Sequence, residues 1–239
     1  MKKTLLIVLS SFILTTIFAQ KTEVKLSLNF GLMSFSGPSA ENTSQINYSQ
    51  FAGLSTLGYT NNPYGTKAGI GYGISADVTR KTKKGFLFGA DLGYEVLRSL
   101  MTIDGINGGN DKGTFQLKAT GQTFLNYHFI NLFPHIGQRF SVKDFDIDIS
   151  GGLDINYCLK TLESGQATDD NGLAYTTSRD RKTISIDPRP RIQLNVKRAK
   201  IGIYVGYSHG VVNVKRGFVG GVNECVSRIT RFGLTYQIN

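Results

Sequence analysis

Residues 144–157 read DFDIDISGGLDINY. Phe145, Ile147, Ile149, Leu153, Ile155 and Tyr157 alternate there with Asp146, Asp148, Ser150, Asp154 and Asn156. Successive side chains of an extended chain leave opposite faces, so the stretch is a strand with one apolar face and one face bearing carboxylates. Either face can meet water, and the fold turns on which one does.

Seven further stretches share this period of two. They are VKLSLNFGL (24–32), GIGYGISADVT (69–79), FLFGADLGYEV (86–96), FQLKATGQTFLNYHF (115–129), ISIDPRPRIQLNV (184–196), IGIYVGY (201–207) and VSRITRFGLTYQI (226–238). No helical period stands out in the chain after residue 19. With 28 glycines and only 5 prolines in 239 residues, the composition suits an all-β protein of one domain.

The connections alternate in length. Residues 36–66, 98–112, 159–182 and 210–222 are long and polar, whereas 80–85 and 197–200 are short and basic. Long loops on one rim and tight turns on the other are the mark of an up-and-down barrel. Pro188 and Pro190 interrupt the sixth segment, and proline cannot donate to a ladder, so a bulge or late strand start is expected there. INLFPHIGQRF (130–140) breaks the alternation and is expected to bend at Pro134, with His135 in a turn.

At the N-terminus, Met1-Lys2-Lys3 precedes the apolar run TLLIVLSSFILTTIF and the small residue Ala19. This pattern predicts a cleaved signal peptide over 1–19 and a mature domain over 20–239. The run is short for a membrane-spanning helix.

A soluble lipocalin-like barrel would turn the apolar faces inward, and a membrane barrel would turn them outward. Export, apolar faces of about ten residues and aromatic residues near the segment ends favour the second arrangement. The expected fold is therefore an all-β, eight-stranded, antiparallel transmembrane β-barrel in an outer membrane. Its interior is narrow, so inward charges must pair. Asp91, Glu95, Asp146, Asp148 and Asp154 are expected to meet Lys118, Arg189, Arg191 and Arg231 inside, leaving no open pore.

The formal charge is +10. Arg80, Lys81, Lys83, Lys84, Lys197, Arg198 and Lys200 crowd the short-turn rim, which should face the periplasm. That rim suits lipid head groups or an acidic periplasmic protein, and nucleic acid is not expected as a partner. The nearly uncharged 36–66 loop is expected to be mobile. Cys158 and Cys225 both fall at the outer rim. A disulfide between them is open in an oxidising compartment, although their strands are not neighbours in an eight-strand order.

Catalysis is not expected. His128 is placed at the lumen rim, and Ser208 and His209 point to opposite faces as strand neighbours. No G-x-S-x-G or H-E-x-x-H motif is present. DDNG (169–172) lacks the ligands of a calcium loop, and no cofactor is expected.

From about residue 113 onward, TFLNYHFINLFPHIGQRF, DIDISGGLDINYCLKT, IGIYVGYSHGVVNV and SRITRFGLTYQIN resemble the PorT-like outer-membrane β-barrel family. The resemblance implies an eight-stranded outer-membrane barrel and, for the family's namesake, a part in protein secretion. The expected function is a non-enzymatic membrane anchor or accessory component of an envelope assembly. The alternatives are a passive small-solute channel and a soluble ligand-binding barrel.

Overall fold

A computed structural model describes residues 21–49, 58–217 and 224–239. The expected signal peptide lies outside the described residues. Eleven strands were assigned: β1 (Lys21–Ser36), β2 (Thr43–Ser49), β3 (Tyr59–Thr60), β4 (Lys67–Lys81), β5 (Phe86–Asn110), β6 (Gly113–Val142), β7 (Phe145–Asp169), β8 (Ala174–Asp180), β9 (Ile186–Arg198), β10 (Ile201–His209) and β11 (Val226–Gln237). Among the described residues there is no helix.

Eight of these strands pair antiparallel in the order β1, β4, β5, β6, β7, β9, β10, β11. β11 then pairs back with β1 over twelve positions, from Lys25↔Gln237 to Ser36↔Val226. The ladders thus form a ring without a free edge. One end is closed by the tight connections 82–85, 143–144 and 199–200. Lys143 and Ala199 take left-handed φ values of 55° and 52° there, as two-residue hairpin turns between right-twisted strands require.

Toward this end the apolar faces point outward. Ile136 is 72% exposed, Ile201 66%, Ile70 65% and Ile203 60%. The opposite positions are buried inside the ring, including Lys25, Asp77, Glu95, Asp148, Arg191 and Arg231. Ile149 faces out and Asp148 faces in.

Toward the other end the structure departs from the sequence expectation. β5, β6 and β7 run on for 25, 30 and 25 residues, through segments read as loops. On β5 and β6 the partition reverses here without a change of pleat phase. Along β5 the inward set passes from Asp91 and Glu95 to Leu97, Met101 and Ile103, and the outward set from Leu92 and Tyr94 to Arg98 and Thr102. β6 does the same. Leu125, Tyr127 and Phe129, expected to face outward, are buried inside, and Lys118 is exposed on the outer side. One strand therefore passes through two environments, with a polar interior below and an apolar interior above.

The upper part is closed by the supposed loop. β2 pairs parallel with β5, β3 pairs with β2, and β8 pairs with β7. A Gly58↔Thr177 bridge joins β3's flank to β8. Ile46, Met101, Ile103, Ile106, Ala119, Ala167 and Tyr175 form a second apolar core within. Glu163 accepts from the Thr60 backbone amide at 2.6 Å and from Arg181 Nε at 2.5 Å, fastening β3 across the top. The described part of 36–66 is thus an ordered element of this cap; residues 50–57 lie outside the described residues.

Pro188 and Pro190 sit within β9, which starts at Ile186. They pair with Ile155 and Leu153 of β7, while the β9–β10 ladder begins only at Arg191↔Ser208. The missing donors fall at and beyond the end of β10 at His209. Pro134 causes no bend: it lies in β6, opposite Ala90.

Ile106→Asp should place an unpaired charge in the cap core and cost about 3 kcal/mol or more. Limited proteolysis is expected to open the cap of this variant while the ring below stays resistant.

Candidate functional site

The interior of the ring is a column of ion pairs beneath an apolar lid. At the short-turn end, Arg139 is held from both sides. Its Nη1 and Nη2 donate to Glu23 at 2.8 and 2.9 Å, and its Nε and Nη2 donate to Asp148 at 2.5 and 2.8 Å. Lys197 Nζ lies 3.4 Å from Glu23 and donates to Gln237 Oε1 at 2.6 Å. Asp146, at the mouth, lies 3.4 Å from Arg139 and 3.5 Å from Lys197.

Above this, Asp77 lies 3.4 Å from Lys25 Nζ and 2.7 Å from His135 Nε2. Ser75 Oγ donates to Asp91 at 2.8 Å. In the middle, Arg231 Nη2 lies 2.9 Å from both Glu95 and Asp154, and Nη1 donates to Ser208 at 2.7 Å. Arg191 approaches Asp154 at 3.9 Å. Arg189 pairs with Asp187 at 2.7 Å, and Ser227 donates to the same carboxylate. Arg189 and Arg191 also stack on Phe129 and Phe133 at 4.9 and 4.3 Å, a favourable use of ring faces by cations removed from water.

The lid follows immediately. Met33, Phe35, Leu97, Leu125, Tyr127, Phe129 and Ile229 from the strands meet Tyr64, Val214 and Cys225 from the links. Phe35 meets Tyr64 edge-on at 5.2 Å. Leu97 reaches the middle of the ring because Gly31 and Gly71 lie beneath it; a Cβ on Gly31 would come within 2.4 Å of Leu97 Cδ2. The interior space beside Lys25, Asp77, His135 and Asp148 is a cavity of about 30 Å³, room for about one water molecule.

Of the expected inward charges, Asp91, Glu95, Asp146, Asp148, Asp154, Arg189, Arg191 and Arg231 line the interior, and Lys118 does not. Sequence reading missed Glu23, Lys25, Asp77, Arg139 and Asp187 as partners. Arg139 was hidden in a stretch read as irregular, although its phase matches Asn131, His135 and Gly137 on the same strand. His135 is buried in β6 rather than in a turn. His128 faces outward and bonds Tyr94 Oη through Nδ1 at 2.7 Å, not the lumen. Among the described residues no group of side chains is arranged to hold a metal ion.

Of the basic turn residues, Arg80, Lys83, Lys84, Arg198 and Lys200 are exposed at the short-turn end and Lys81 is half-buried. Lys197 is the exception: it points inward, 5% exposed, into the Glu23 cluster.

Cys158 and Cys225 both touch the lid, as free thiols. No bond joins them in the structure. Cys158 Sγ lies 3.2 Å from Thr161 Oγ1. Burial pushes the Cys225 thiol up to about 12, partly offset by Lys215. Burial likewise raises Tyr64 to about 12.

No family model matches the chain, and no curated protein matches it. Among solved structures, it is similar to Ail, the attachment invasion locus protein of Yersinia pestis, in complex with the heparin analogue sucrose octasulfate. That alignment has a TM-score of 0.37 at 8% identity, covering 91% of this chain and 99% of Ail. Neisserial surface protein A (NspA) aligns with a TM-score of 0.38 at 7% identity, covering 90% of this chain and 98% of that one.

Arg231→Met should strand Glu95 and Asp154 as uncompensated buried charges and cost about 3–5 kcal/mol. Adding Glu95→Gln and Asp154→Asn should recover part of that loss, measured by urea unfolding in lipid vesicles. Alkylation in denaturant without reductant should label both cysteines. In the native protein, Cys225 should stay unlabelled up to about pH 10, because its thiolate is disfavoured until well above that pH.

Proposed function

We propose that the chain is an outer-membrane β-barrel that acts without catalysis, anchoring a rigid β-structured cap at the cell surface. The observation that supports this most directly is the inverted partition of the lower ring. Leu28, Ile74, Leu92, Ile149, Ile203 and Leu234 project outward around it, and paired charges fill its inside. A soluble protein rarely exposes a contiguous apolar patch above a few hundred Å², whereas a barrel in lipid must present such a belt. Backbone groups in lipid must also be paired, which a ring of ladders achieves.

The outward apolar positions of β5 run from Phe86 to Tyr94. Nine residues at about 3.3 Å each, tilted by about 40°, give about 23 Å, close to the height of a hydrocarbon layer. By the usual placement, the short turns face the periplasm and the cap faces outward. A soluble lipocalin-like barrel requires the opposite orientation of these side chains.

Passive conduction is disfavoured by the same geometry. Arg231 and Arg189 are clamped in the middle of the barrel, and the Phe35–Tyr64–Tyr127 lid covers them. The resemblance to PorT-like barrels extends the proposal to an accessory part in an envelope assembly such as protein secretion. The exposed Lys83, Lys84 and Lys200 are then the contact to the periplasm.

Ile203→Lys should destabilise the protein in bilayers by about 2–4 kcal/mol, measured by urea unfolding in lipid vesicles. Planar-bilayer recordings should show no steady conductance; reproducible open steps would refute the sealed lumen. A product recovered from cells as a water-soluble species, without detergent, would overturn the membrane reading. Crosslinking from Lys83 and Lys84 in intact cells should capture a defined periplasmic protein if the assembly role holds, and lipid alone if it does not.

A further inference from the structure

We propose that the outer rim of the apolar belt binds the phosphate groups of anionic lipid in the outer leaflet, through pairs of basic side chains on adjacent strands. This rests on the membrane reading above.

The ladders place these residues at one level. His128 of β6 is directly opposite Lys160 of β7. His209 of β10 is directly opposite Arg228 of β11. Lys67 of β4 pairs with Leu100, two residues along β5 from Arg98. Residues paired in register share a face, and all six leave the outer side. Each pair sits immediately beyond the last outward apolar or aromatic positions, next to Ile70 and Tyr72, Tyr94 and Ile130, or Tyr207 and Phe232. A lipid whose acyl chains lay against those residues would bring its headgroup to the paired basic side chains. A free phosphate would gain nothing from the belt.

Local contacts hold several of these groups in place. His128 is tied to Tyr94 Oη at 2.7 Å, and His209 to Tyr207 Oη at 3.2 Å. Arg98 lies across Gly69, where a Cβ would come within 2.8 Å of its Cγ, and its guanidinium sits over Phe124 at 5.8 Å. Lys67 is exposed and its Nζ donates to Thr102 Oγ1 at 2.7 Å; a phosphate oxygen beside it is an acceptor of greater charge. At this level Asp180 approaches Lys160, at 3.3 Å, with both side chains largely exposed. An exposed pair of this kind is weak and readily exchanged.

The test uses full-length mature protein in phosphatidylcholine vesicles containing a minor fraction of either bis-phosphorylated lipid A or the same lipid dephosphorylated. Lipid retained on the extracted protein is quantified by mass spectrometry, and insertion is scored separately by heat-dependent gel mobility. Wild type should retain the phosphorylated lipid preferentially. Arg98→Gln/Lys160→Gln/Arg228→Gln should lose about a hundredfold of that retention, and the exposed single change Lys160→Gln about fivefold, with insertion unchanged. Equal retention of the two lipids, or unaltered retention in the triple variant, would overturn the proposal. So would displacement of the lipid by millimolar inorganic phosphate alone. Failure of wild type to insert into either vesicle would instead remove the membrane reading, and this proposal with it.

Discussion

Pairing of charge inside a ring too narrow for bulk water is the constraint on which the lower half of the molecule depends. Eight strands enclose little more than their own side chains, so an inward Arg or Asp has no bulk solvent to turn to. Each must find its counter-ion within the ring, on its own strand, on a neighbour or across the interior. Arg139 joins Glu23 of β1 to Asp148 of β7, and Arg231 joins Glu95 of β5 to Asp154 of β7. The Arg139–Glu23 and Arg231–Glu95 contacts span 116 and 136 positions of the chain and tie the registers of separate ladders together. Shifting one ladder by a single residue would carry its charged set to the outside.

The upper half obeys the opposite rule on the same strands. Past Glu95 and Asn131 the inward positions become Leu97, Met101, Leu125 and Tyr127, and the outer ones become Thr102, Lys118 and Gln122. This is the ordinary arrangement of a protein in water. The change of chemistry without a change of pleat marks a boundary between two surroundings. The Tyr94–His128 and Tyr207–His209 contacts lie on that boundary, where an aromatic body with a polar tip fits best.

The eight-fold alternation, the short-turn ends and most of the inward charges were legible in the sequence. A period of two reveals which residues share a face, and the acids at Asp148 and Asp154 could only be inside if Ile149 and Leu153 were outside. What a period of two cannot reveal is the medium that each face meets. Leu125, Tyr127 and Phe129 look the same in sequence as Ile149 and Leu153, yet they face the other way. Their side is decided by Tyr64, Val214 and Cys225 of the links folding over them, a long-range event with no local signature. Lys118 was misplaced for that reason. Arg139 and His135 were missed because Pro134 suggested a break, whereas an outward proline in β6 is tolerated where its neighbours pair on either side of it.

β6 is unbroken for 30 residues, from the Gly113 hairpin to Val142. At about 3.3 Å per residue and a tilt of about 40°, it stands about 75 Å tall. With the lower belt in lipid as proposed, bilayer and headgroups would take about 40–45 Å of that height. The hairpin tip, flanked by β5 and β7, would then stand about 30 Å clear of the headgroups, and a partner approaching from that side would meet it first.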